Sequence, residues 1–110
     1  MPTEAPEALS VFWMYAIRVE GAFGCSRDEL RAALAERGIE TRCFFVPIHF
    51  QPIYFGQFRG ERFPIAEELC RTGLYLPTSP SLEASDVDWI SDQVVDIHRR
   101  MTARVCAAQP

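Results

Sequence analysis

A chain of 110 residues supports one domain with a single core and is small for an independent enzyme. Its 48% hydrophobic and 24% charged residues are ordinary for a globular fold, and a net charge of −4 without a basic run argues against nucleic acid or an anionic membrane as partner. All eleven basic residues are arginine, so the chain offers no side-chain amine for Schiff-base chemistry and no lysine for a Walker-type phosphate loop.

No apolar run approaches a membrane span and no charged-then-apolar segment opens the chain, which sets the expectation of a cytoplasmic location. Cys25, Cys43, Cys70 and Cys106 never form Cys-x-x-Cys, and only His49 and His98 accompany them. Reduced thiols and no metal site are expected.

In chain order, residues 1–10 form an irregular leading arm. Phe12 to Val19 alternates as a strand. Its first half is apolar on both faces, which predicts cover on both sides. Ser26 and Glu29 make a Ser-x-x-Glu capping box for a helix through Arg37, stopped by Gly38. Its buried stripe is Leu30, Ala33 and Leu34. Ile39 to Phe45 reads as a second strand, and strand, helix and strand together have the length of a βαβ unit.

Pro64 opens a short helix with Ile65, Ala66, Leu69 and Cys70 as its inner face, ended by Gly73. Leu74-Tyr75-Leu76 is a strand stopped by Pro77. Ser85 caps a last helix whose apolar stripe is Val87, Ile90, Val94, Ile97 and Met101. The expected architecture is α+β: a two-layer sandwich with a small three-stranded sheet and helices packed on it. It occupies residues 11–105, followed by a tail, 106–110.

The most unusual stretch is Arg42 to Phe55, RCFFVPIHFQPIYF. Pro47 and Pro52 prevent one helix or a central strand, so this is a loop with five aromatics. Arg42, His49 and Gln51 stand in it as polar handles in an apolar wall, the composition of a ligand site. Arg42 has the fork that suits a phosphate, or simply ends a strand on the surface. His49 is placed for a sugar hydroxyl, or is a half-buried histidine tied to backbone.

Phe44, Phe45, Phe50, Tyr54 and Phe55 suit a stacking platform, an interface or plain core. Cys43 has no base fixed beside it in sequence, which weakens a nucleophile role. His98 reads as helix-surface decoration. Glu67-Glu68 and Asp86/Asp88 sit in first turns of helices, where the dipole explains them better than an acid–base pair does.

Taken as an ordered set, the Phe12-Trp13-Met14-Tyr15 strand, the Ser-Arg-Asp-Glu-Leu helix ending Glu-Arg-Gly-Ile-Glu-Thr-Arg, Phe44-Phe45-Val46-Pro47-Ile48-His49-Phe50-Gln51-Pro52, Phe63-Pro64-Ile65-Ala66-Glu67-Glu68-Leu69 and Leu76-Pro77 before Ser81-Leu82 form a pattern. It resembles the C-terminal small domain of the DegT/DnrJ/EryC1/StrS sugar aminotransferases, perosamine synthase-like members above all. The resemblance covers residues 8 to 100.

It implies the small domain of a fold-type I pyridoxal-phosphate transferase that moves an amino group from glutamate to a 4-keto-6-deoxy nucleotide sugar. It implies pyridoxal phosphate as the cofactor of the full-length enzyme and none bound by this chain alone. The lysine and the phosphate cradle would come from a large domain that this chain lacks. The loop is then expected near the nucleotide-sugar site, with Arg42, His49, Phe45 and Gln51 toward substrate and Phe44, Phe50, Tyr54 and Phe55 at an interface. Self-association through that apolar surface is expected. The rival reading is a stand-alone, non-catalytic α+β module that binds through residues 42–55.

Overall fold

The structure, a computed structural model, describes residues 4–107. Residues 1–3 of the expected arm and 108–110 of the expected tail lie outside the described residues, as does the side chain of Cys106.

Three strands and four helices follow in the order β1 (Tyr15–Arg18), α1 (Arg27–Ala35), β2 (Arg42–Cys43), α2 (Pro52–Phe55), α3 (Pro64–Thr72), β3 (Gly73–Leu76) and α4 (Ala84–Ala107). Two 3₁₀ turns, Gly21–Phe23 and Ile48–Phe50, lie between them. Among the described residues no helix is long and apolar enough to cross a membrane.

The α+β class is as expected, but the sheet is not a simple βαβ unit. Its order is β1-β3-β2, and β3 runs antiparallel to both neighbours. β1 and β2 are therefore parallel to each other with β3 inserted between them. A sequence window ending at residue 45 does not contain the strand that takes the central place.

Helix α1 forms as its caps dictate. Ser26 Oγ accepts from the Glu29 N–H, and the Glu29 carboxylate accepts from the Ser26 N–H at 2.7 Å. These hydrogen bonds from Ser26 also hold the Glu29 carboxyl below its usual range. The helix stops where Gly38 turns to φ 76°, with Gly38 N–H donating to Ala35 O and Ile39 N–H to Leu34 O, a Schellman-type stop.

That use of Ile39 shortens the second strand. Ile39 belongs to the helix stop, and pairing begins only at Arg42, opposite Tyr75. β1 is also shorter than expected, starting at Tyr15 rather than Phe12. Phe12 adopts φ 46°, outside the strand region, and β3 ends at Leu76, before Pro77, which has no N–H to offer. Ser85 does not cap α4. The helix starts at Ala84, and the Asp86 carboxylate accepts from the Glu83 N–H at 2.9 Å.

The core lies on one face of the sheet. Val19, Leu30, Leu34, Ile39, Leu74, Ile90 and Ile97 are buried together there. α1 and α4 cover that face and are tied by Arg37, which donates to Gln93 Oε1 and Asp96 Oδ2, each at 2.7 Å. His98 takes part in this packing and is not surface decoration. Its Nδ1 lies 2.8 Å from Phe23 O and its ring packs on Phe23.

The opposite face carries Ala16, Tyr75 and Arg42 side by side, as the register requires. Helices do not cover it as they cover the core face. The expected two-sided cover of the Phe12–Tyr15 end is not found among the described residues: Phe12, Trp13 and Tyr15 are all exposed, Tyr15 although the register puts it on the same face as Ile17 and Leu74. Likewise Ile65, expected on the inner face of α3, is 78% exposed, while Leu69 and Cys70 are half-buried.

At Gly73 the backbone runs directly beneath the Phe44 ring. The glycine's φ of −80° suits any residue, but a Cβ there would collide with the Phe44 ring. Gly73→Ala is expected to cost about 1–3 kcal/mol by overpacking. Leu34→Ala, at a fully buried position, is expected to cost about 2–5 kcal/mol. Urea denaturation of the two variants checks both figures.

Candidate functional site

The loop from Arg42 to Phe55 leaves β2 at the edge of the sheet. Phe44 extends the ladder by one contact, its N–H toward Gly73 O at 3.4 Å, and its ring stacks on Tyr75 at 4.5 Å. The chain then turns through buried Pro47 into the Ile48–Phe50 turn and the short helix α2, both read from sequence as plain loop.

The predicted polar handles separate. Arg42 is exposed, and among the described residues it forms no ion pair. It lines a cleft of about 360 Å³ with Met14, Glu40, Tyr75 and the Pro77-Thr78-Ser79 turn, so a carboxylate shares the cleft without pairing to it. Arg18, Arg27, Arg37, Arg62, Arg71 and Arg100 each sit within 3.4 Å of a carboxylate, whereas among the described residues Arg31, Arg59, Arg99 and Arg104 share with Arg42 the lack of an ion pair. Arg42 is thus an uncommitted guanidinium at a concave surface, the condition for recognising a phosphate or carboxylate from outside.

His49 is buried, only 6% exposed. Its ring lies against Phe50 and Phe63, with centroids 4.0 and 4.7 Å away. It lines an apolar basin of about 510 Å³ with Phe45, Val46, Phe58 and Phe63. Its Nε2 is 3.5 Å from Glu67 Oε1. Gln51 is half-buried and turned into the loop, donating from Nε2 to Val46 O at 3.2 Å. In this conformation its amide braces the loop.

Phe45 joins the two regions. It is 68% exposed, lines the basin, and its ring lies 6.0 Å from Tyr75, which lines the Arg42 cleft. Trp13 approaches the other side of Phe45 at 6.5 Å. Of the expected interface residues, Phe50, Tyr54 and Phe55 are 46, 41 and 54% exposed, whereas Phe44 is packed over Gly73 and Tyr75. Cys43 is a free thiol, as are Cys25 and Cys70. Burial, then the nearby Glu29 carboxylate, pushes the Cys25 thiol up. Among the described residues no cluster of His, Cys, Asp or Glu is arranged to hold a metal ion.

Two residues outside the predicted set belong to this region. Tyr75 stands between Phe44 and Phe45, brought there by its pairing opposite Arg42, which no local pattern contains. Glu67, assigned from sequence to the helix dipole, anchors the loop. Arg62 grips its carboxylate at 2.7 Å and the Phe63 N–H donates to it at 2.9 Å. Those hydrogen bonds, Arg62 first, hold the carboxyl at about 2.

Comparison with known proteins now bears on these surfaces. Residues 1–95 match the model of the DegT/DnrJ/EryC1/StrS aminotransferase family. The chain belongs to this family. It is 35% identical over 95 residues to the GDP-perosamine synthase of Escherichia coli O157:H7, covering 86% of this chain and 25% of that protein. It is 36% identical over 107 residues to the dTDP-3-amino-3,4,6-trideoxy-alpha-D-glucose transaminase of Streptomyces venezuelae, covering 96% of this chain and 26% of that one.

Among solved structures, S. venezuelae DesV in complex with a ketimine intermediate aligns with TM-score 0.73 and 34% identity over 88% of this chain and 25% of its own. This family member spans about a quarter of the length of those relatives.

The Glu67 anchor sets a pH dependence. Its folded carboxyl titrates below the ordinary range, so its stabilisation is complete above about pH 4.5 and is lost as the pH falls through about 2. The stability difference between the parent chain and Glu67→Gln is expected to shrink steadily over that interval. Denaturant titrations at several pH values measure it.

Proposed function

We propose that this chain is the C-terminal small domain of a pyridoxal-phosphate-dependent nucleotide-sugar aminotransferase of polysaccharide biosynthesis, perosamine synthase-like in substrate class. In this reading an amino group passes from glutamate to a 4-keto-6-deoxy nucleotide sugar. The chain itself does not fit the covalent seat of the cofactor, because it has no lysine. A large domain carried elsewhere supplies that residue, and this chain supplies one wall of the substrate cleft.

The observation that carries the reading is the uncommitted Arg42 in its cleft beside an uncovered aromatic loop, in a chain matching about a quarter of enzymes that act on nucleotide sugars by name. Arg42 meets phosphate, and Phe45 and His49 meet the sugar. Phe50, Tyr54 and Phe55 face the large domain or a second copy.

Two facts support an outside partner. Val46, Ile48, Ile53 and Ile65 are all more than half exposed alongside those aromatics, and water-facing apolar surface of this extent marks interfaces. The radius of gyration, 16.9 Å, also exceeds the roughly 13 Å of a self-contained chain of this length.

A chimaera tests the reading. The corresponding quarter of the S. venezuelae transaminase is replaced by this chain, and amino transfer is measured. An active chimaera is expected. Arg42→Ala in it is expected to lower kcat/KM about ten- to hundredfold, chiefly through KM, because a phosphate contact is made equally in ground and transition states. A chimaera that folds yet ignores the Arg42 change removes Arg42 from the site.

For the isolated chain, association at tens of micromolar is expected by light scattering, together with no borohydride-trapped pyridoxal adduct on any internal residue. A strictly monomeric chain that binds no hydrophobic dye counts against an exposed apolar patch.

A further inference from the structure

Glu67 and His49 meet where the loop crosses the start of α3. The Glu67 carboxylate is fixed by three groups of its own segment. Arg62 Nη2 donates to Oε2 at 2.7 Å, Arg62 Nε lies 3.0 Å from both oxygens, and the Phe63 N–H donates to Oε1 at 2.9 Å. Only 16% of the Glu67 side chain and 6% of His49 are exposed.

The imidazole is wedged between Phe50 and Phe63, and its Nε2 is sealed from solvent without a hydrogen-bond partner. The nearest polar atom assigned to that nitrogen is Glu67 Oε1, at 3.5 Å. Nδ1 is not sealed in the same way, and the residue lines the apolar basin.

We propose that Glu67 is a positioning residue that holds His49 as its Nε2–H tautomer, so that Nδ1 presents a lone pair to a hydroxyl or N–H donor of the ligand. This rests on the reading of His49 as a ligand-facing residue. An ionised carboxylate only accepts. A proton on Nε2 turns the enclosed contact into an attraction, whereas a lone pair there would face a charged oxygen with no compensation from water. The Glu67 carboxyl, held at about 2, stays ionised throughout the neutral range.

The consequence is a division of labour. Arg42, donor-only, takes ligand oxygens that accept; His49, through Nδ1, takes ligand groups that donate. A hydroxyl or amino group on the sugar is favoured in the basin, and a bare carbonyl or phosphate oxygen at the same point is disfavoured.

Long-range 1H–15N correlation on the labelled 110-residue chain at mildly alkaline pH reads the tautomer without any ligand. His98 provides an internal contrast: its Nδ1 sits 2.8 Å from a carbonyl oxygen, which demands a proton on Nδ1. The expected result is opposite signatures, Nε2–H for His49 and Nδ1–H for His98.

Glu67→Gln is expected to preserve the His49 signature, since the amide oxygen can keep the Oε1 place beside the Phe63 N–H while Arg62, which only donates, swings away from the amide NH2 in the Oε2 place. Glu67→Ala is expected to collapse it to an averaged pair. An Nδ1–H signature for His49 in the parent chain overturns the proposal, and so does an unchanged signature in Glu67→Ala. Should Glu67→Ala not fold, the parent and Glu67→Gln spectra still decide it, because either one showing Nδ1–H is fatal. The site reading falls separately, if His49→Ala leaves turnover of the chimaera intact.

Discussion

The structure depends on the central place of β3 and on its first two residues. Leu74 points into the core and is fully buried, while Gly73 on the other face lets the Phe44 ring lie against bare backbone. One short strand thus closes the α1/α4 core and anchors the start of the aromatic loop. β2 contributes only two paired residues, Arg42 and Cys43. Without β3 between them, neither β1 nor β2 has a partner for its backbone groups. The junction of α3 and β3 is held from behind as well, because Arg27 Nη1 reaches Cys70 O and Gly73 O at 3.2 and 3.3 Å.

The charged residues divide along the same line as the two faces. On the core side, arginines are spent on structure: Arg37 ties α1 to α4, and Arg27 ties α1 to the end of α3. Asp96, gripped first by Arg37 and then by Arg100, is held below the usual carboxylate range. On the loop side, Arg62 is turned inward to Glu67. Arg42 forms no ion pair among the described residues and lines a concavity that it shares with Glu40. A guanidinium left without a carboxylate next to an aromatic wall is a feature of recognition surfaces, since a purely structural arginine gains from pairing.

The uncovered face carries the other half of the functional argument. Phe45, Trp13 and Tyr75 form a continuous aromatic patch across the segment before β1, the loop and the central strand. Apolar surface of this kind is a common mark of interaction sites. The chain belongs to an aminotransferase family and spans about a quarter of its relatives' length.

Sequence by itself determined the punctuation. Ser26, Glu29 and Gly38 bounded α1, Pro64 and Gly73 bounded α3, and Pro77 ended β3, because caps and proline act through residues a few positions apart. The aromatic loop was also visible as a run with nowhere local to bury itself, and the ordered motifs were enough to identify the family.

Tertiary structure decided what local pattern does not contain. Strand order rested on a partner lying far along the chain. The burial of His49 depended on Phe63 and Glu67, which reach it only after the chain has passed through α2 and returned. His98 became a structural residue because Phe23, on a distant turn, offers it a carbonyl and a ring. Arg42 and His49, neighbours in one motif, ended on separate surfaces because pairing of Arg42 to Tyr75 pins one to the sheet, while Pro47 turns the chain toward α3 before the other. Periodicity reports which residues share a face; the neighbours that fill the space against that face are set only when strands far apart in sequence pair.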